Sequence, residues 1–192
     1  PGHRRGVRTS IGILIAVSPS PVSPALAPVI GVAVSPAFGR GGGETMSGLS
    51  PREVVVSLVQ GAVLTGCDVR MVRVNSSVDV VRIAWEAARA VPSGIGIGVL
   101  AKGTAVLHSL ARSPRDVIEL SPPAPMMDRT AYRSLGTRAA RMAKGLPVTV
   151  PDPVLIDPGL AADLVERVRE YGAVERHWCH ADPPVEDLLR LD

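Results

Sequence analysis

Ser93-Gly-Ile-Gly-Ile-Gly-Val-Leu-Ala-Lys-Gly-Thr-Ala-Val-Leu-His108 is the stretch whose reading decides the architecture of this chain. Gly94, Gly96 and Gly98 alternate with Ile95, Ile97 and Val99. Side chains of a strand point to opposite faces with period two, so one face is aliphatic and the other is bare backbone. Glycine weakens a strand and marks a place where a ligand or another backbone comes close. Two readings follow: a helix packs on the glycines, or something broad and flat lies near this strand end, with Lys102 meeting a negative group. Lys102-Gly103 forms a short connection to a second strand over Thr104–Ser109, so the pair reads as a hairpin.

Upstream, Val29–Val34 (V-I-G-V-A-V) is a buried strand, too short for a helix and bounded by S-P-A-F-G-R-G-G-G at 35–43. That glycine-rich segment lacks both the G-K-[ST] ending of a P-loop and the G-x-G-x-x-G spacing of a dinucleotide fold, so it reads as a mobile loop anchored by Phe38. Ser50-Pro51-Arg52-Glu53 is a capping box with proline at the first helical position. The helix it opens runs to Leu64, turns Val54, Val55, Leu58, Val59 and Ala62 inward, and is closed by Gly66. Asp68–Val74 is the next strand, and a polar turn then opens a helix over Asp79–Ala90. Downstream come a short strand at Asp116–Leu120, a rigid S-P-P-A-P loop at 121–125, and a helix over Arg129–Lys144 capped by Asp128. Strands alternating with helices, plus one antiparallel hairpin, predict an α/β three-layer, Rossmann-like fold with a mixed sheet.

The ends of the chain differ from this middle. Residues 1–27 join a basic start and a short apolar run to a Pro/Ser-rich stretch and read as a disordered leader, with a secretory signal as the lesser alternative. A chain opening on Pro1 is read as a fragment or as carrying sequence upstream of the true start. Residues 28–148 form the α/β domain, and residues 149–192 a Pro-rich linker and helical tail. In that tail, Pro158–Glu170 is an amphipathic helix with Leu160, Leu164, Val165 and Val168 inward. His177, Cys179 and His180 are too cramped for a zinc site and have no second ligand pair at suitable spacing, so no metal is assigned.

Composition excludes several classes of function. With 21 Lys+Arg against 18 Asp+Glu and only 3% aromatics, nothing points to nucleic acid. No apolar stretch approaches the length of a membrane span. Two cysteines, Cys67 and Cys179, cannot build a disulfide framework, which makes a reducing cytoplasm the default. No nucleophile–base pair or carboxylate pair suggests a catalytic residue.

From Val29 to about Lys144 the chain resembles the medium subunit of adenosylcobalamin-dependent diol and glycerol dehydratases. The residues that carry this are the block from Asp79 to Lys144, with its glycine-striped strand, its P-x-A-P loop and Y-R-S-L-G-T-R-A-A-R-M-A-K, together with S-P-A-F-G at 35–39. The resemblance implies a supporting subunit that covers the lower, dimethylbenzimidazole face of the cofactor. A large barrel subunit would bind the diol, and a small subunit would complete the unit. It also implies a reactivating factor as a further partner and a cytoplasmic setting, within a bacterial microcompartment as the narrower expectation. By residue match, Asp79 would accept hydrogen bonds from cobalamin amides and Lys102 would approach the nucleotide and peripheral polar groups. Thr104 would add a hydroxyl, and Pro122 a backbone carbonyl. Beside these stand ordinary roles: helix capping for Asp79, a solvated lysine at 102 and a turn at 122. Val117 and Val78 depart from the family pattern, and no D-x-H-x-x-G element supplies a histidine to cobalt. His108 reads as a satisfied core or edge residue. The rivals are the small subunit of the dehydratase-reactivating factor, which resembles residues 78–89 and 139–145, and a free nucleotide-binding α/β domain.

Overall fold

A computed structural model describes residues 27–40, 43–152, 154 and 158–188, apart from a few side chains early in the last helix. The leader therefore lies outside the described residues, except at its final position. The described residues form an α/β unit with a six-stranded mixed sheet and four α-helices. In chain order the elements are β1 (Val29–Val34), α1 (Pro51–Leu64), β2 (Asp68–Val74), α2 (Val80–Arg89), β3 (Ile95–Val99), β4 (Ala105–Ser109), β5 (Glu119–Leu120), α3 (Arg129–Ala143), α4 (Pro158–Trp178) and β6 (Val185–Asp187). The sheet order is β5-β4-β3-β1-β2-β6. Both neighbours of β1 run parallel to it, while β4, β5 and β6 are each antiparallel to the strand they join.

The alternation of β1 and β3 explains what covers each face. Ile30, Val32 and Val34 join Ile95, Ile97 and Val99 in a core shared with Leu58 of α1 and Leu135 of α3. On the other face lie Gly31, Gly96 and Gly98, and α2 is pressed directly against them. A Cβ added at Gly31 would stand 2.0 Å from the Ala87 carbonyl oxygen, and one at Gly96 would stand 2.2 Å from the Ala88 nitrogen. The glycine stripe is thus a seat for a helix. This overturns the reading in which a flat ligand lies on it: helix backbone already occupies the space that the missing side chains leave.

The helix ends follow their local chemistry. Ser50 and Glu53 form the expected capping box, with Pro51 beginning the helix. The Asp79 and Asp128 carboxylates cap α2 and α3 by accepting from the N–H groups of Val81 and Ala131. Three expectations need correction. The strand over 116–120 shrinks to Glu119–Leu120, because residues 112–116 close into a turn with an Arg112–Asp116 ion pair. The loop after β1 begins as packed structure, with Ser35, Ala37 and Phe38 buried. Helix α4 runs on to Trp178, and Val165 and Val168 are 45% and 40% exposed, not inward. The side chain of Leu160 lies outside what is described.

Candidate functional site

In open α/β sheets ligands bind beyond the carboxyl ends of the strands, where the strand order reverses. Here β1 leads by α1 to β2 on one side, and β2 returns by α2 to β3 on the other, so the reversal lies between β1 and β3. Ser35 follows β1, and its N–H bonds the Val99 carbonyl at 2.9 Å. Leu100–Thr104 follows β3.

The connection from β3 to β4 presents the predicted residues. Its turn is closed by the Gly103 N–H donating to Leu100 O, and Gly103 sits at φ +102°, a backbone that side-chain-bearing residues rarely adopt. Buried Tyr132 of α3 reaches up and donates its hydroxyl to the Gly103 carbonyl at 2.6 Å. Burial pushes that hydroxyl well above its ordinary value, so it stays protonated as a donor. The Lys102 carbonyl accepts from the Met46 N–H at 3.0 Å. Backbone contacts thus fix the turn on two sides and leave the Lys102 side chain outside those bonds.

Lys102, Thr104 and Pro122 line one cavity of about 320 Å3, walled by Met46, Pro123, Pro125 and, from the tail, Val154, Leu164 and Val168. Three of the four candidate residues are therefore brought together. Asp79 is not among the lining residues; it lies exposed at the start of α2, and its carboxylate is engaged by its own helix. The local capping role is the one seen for it. Pro122 accepts at its carbonyl from the Ser121 hydroxyl at 3.0 Å. His108 is fully buried in β4, yet neither ring nitrogen has a partner, so it is a core residue but not a satisfied one. Among the described residues no group of three or more His, Cys, Asp or Glu could hold a metal ion, and no helix is long and apolar enough to cross a membrane.

Two residues missed in the sequence reading, Glu175 of α4 and Arg73 of β2, bond the segment that leaves β1 at the reversal point. Glu175 of α4 is buried, and its carboxylate accepts from the Ser35 hydroxyl at 2.5 Å, the Ala101 N–H at 2.8 Å and the Ala37 N–H at 3.1 Å. Beside it, buried Arg73 donates to the carbonyls of Ser35, Pro36 and Phe38. Burial draws the Arg73 guanidinium down from its ordinary value; Arg40 adds to that, and Glu186 and Glu175 oppose it. Ser35 could have been found from its place after the first parallel strand. Nothing in the tail's sequence singled out Glu175.

Residues 35–149 match the family model described as dehydratase medium subunit. The chain belongs to that family. Among solved structures, a glycerol dehydratase reactivase is similar to this medium subunit at 18% identity with a TM-score of 0.48, covering 64% of this chain and 96% of that one. A diol dehydratase-reactivating factor complexed with ADP and Mg2+ is similar at 25% identity with a TM-score of 0.47, covering 63% and 96% respectively. The match to the medium subunit family spans Ser35, Asp79, Lys102, Thr104 and Pro122, and it ends before α4 begins.

Proposed function

We propose that this chain is the non-catalytic medium subunit of a diol or glycerol dehydratase and that it covers the lower, dimethylbenzimidazole side of adenosylcobalamin beside a large catalytic subunit. In this reading its residues 28–148 make a three-layer, Rossmann-like support, and the carboxyl edge of the sheet, not its glycine face, meets the cofactor. The observation that carries the placement is the convergence of Lys102, Thr104 and Pro122 on one cavity at that edge. These residues fit such a group: Lys102 makes no ion pair within the described chain, and it stands beside a hydroxyl and a wall of prolines and aliphatic side chains. A flexible ammonium suits a phosphate or a peripheral carbonyl as a point charge. The bound cofactor would supply the radical chemistry, and the protein would supply orientation and shielding.

Asp79 keeps a place in the proposal only at the flank of this edge, with its cap bond exchanged for, or shared with, a cofactor amide. No catalytic residue or metal ligand is assigned to the chain, since substrate would be held by the large subunit. A small subunit would complete the enzyme, with a reactivating factor as an occasional partner in the cytoplasm or a microcompartment. The test is cobalamin retention by the complex co-purified with a large dehydratase subunit. Lys102→Ala is expected to reduce retention by about tenfold, the scale of one charge-assisted contact, while leaving the melting temperature unchanged. Equal retention by wild type and variant removes Lys102 from the site.

A further inference from the structure

The four helices are not held alike. Helices α1, α2 and α3 each contribute side chains to the core clusters, whereas no described side chain of α4 does, and its Val165, Val168 and Val174 are exposed. What fastens α4 to the sheet edge is polar and local. The Tyr171 hydroxyl donates to the Glu44 carbonyl, and Glu175 inserts its carboxylate among Ser35, Ala37 and Ala101. Those donors belong to the segments leaving β1 and β3, the two strands that flank the reversal point. The same helix lays Leu164 and Val168 against the cavity that holds Lys102, Thr104 and Pro122. Beyond α4, β6 is paired to β2, and Asp187 forms a two-bond contact with Arg70, so the end of the tail is anchored independently.

We propose that α4 is a built-in cover over the cofactor-facing edge, latched by Glu175 and displaced when the edge is occupied in the assembled enzyme. This rests on the function proposed above. A carboxylate in that position accepts from two backbone N–H groups and one hydroxyl; without it the Ala101 N–H keeps the Ser35 hydroxyl oxygen at 3.1 Å, and the Ala37 N–H loses its acceptor here. Releasing it exposes them together with the wall behind Lys102. No described side chain of α4 belongs to either core cluster, so its hold rests on Glu175 together with Tyr171 on Glu44 and Trp178 beneath the Arg40 guanidinium. The β6 anchor keeps the released helix tethered near the site and makes closure after cofactor loss an intramolecular step.

The test uses the full chain, alone and co-purified with a large dehydratase subunit, as wild type, Glu175→Ala and Lys102→Ala. Hydrogen exchange on the isolated chain is expected to show α4 amides exchanging about tenfold faster in Glu175→Ala, with β1 and β3 unchanged. Adenosylcobalamin uptake by the complex is expected to be faster in that variant and slower in Lys102→Ala. Unchanged α4 exchange overturns the latch. Faster α4 exchange with unaltered uptake, while Lys102→Ala still weakens binding, overturns the cover and leaves the cofactor reading standing. Failure of wild type and Glu175→Ala alike to take up cobalamin overturns both. Loss of sheet protection in Glu175→Ala would show that the residue supports the fold instead, and would overturn the latch as well.

Discussion

The two surfaces at which the sheet meets a helix across bare or polar backbone behave in opposite ways. Under α2 the contact is backbone on backbone, without room for a methyl group. At the carboxyl edge under α4 the contact is a carboxylate on three donors, and two of those donor residues, Ala37 and Ala101, line a cavity of about 340 Å3 separate from the one at Lys102. The first is a piece of core. The second is a polar contact between a helix and the segments that leave two strands. A glycine stripe alone therefore does not distinguish ligand contact from helix packing.

Substitution at the first surface is expected to have the largest effect. Gly96→Val forces a branched side chain into the backbone of α2 and should cost about 3 kcal/mol or more, read as a lower midpoint in chemical denaturation. A stable Gly96→Val protein would mean that α2 can move away, and the sealed face would lose its distinction from the edge. At the edge, Tyr132→Phe removes the hydroxyl that holds the Gly103 carbonyl and should cost about 1 kcal/mol. It should also lower cobalamin retention by loosening the turn that carries Lys102. Retention equal to wild type would show that the turn needs no support from α3.

The smallest effect concerns acid. Ser50's backbone N–H, then Arg129, then the Ser50 hydroxyl hold the Glu53 carboxyl at about 2, below its ordinary 4.5. Because the folded value lies below the unfolded one, its contribution is complete above about pH 4.5 and fades as pH falls toward 2. Glu53→Gln should therefore flatten the decline in melting temperature between pH 5 and pH 3 by a small margin. An unaltered slope would remove Glu53 from the acid response at this end of the molecule.

Strands β1 to β4 were legible because period-two and capping signals act over a few residues, whereas β6 falls in the tail that reads as linker and helix. β1 and β2 have the expected bounds, and the expected caps at Ser50, Asp79 and Asp128 are all made. The strand before the S-P-P-A-P loop was overextended because β-branched residues at 117–118 outweighed the turn that Pro114 and the Arg112–Asp116 pair impose. Of the residues the resemblance points to, Lys102, Thr104 and Pro122 share one cavity, a proximity the sequence reading did not itself derive. It was illegible at Glu175, 140 positions from its Ser35 partner, because nothing local distinguishes a carboxylate that will be buried from one that stays in water.

The outermost strands, β5 and β6, have only two and three residues. Unpaired strand margins invite further chains to add by main-chain hydrogen bonding, and stubs this brief offer almost no template for it. Margins this short limit indiscriminate self-association through the sheet.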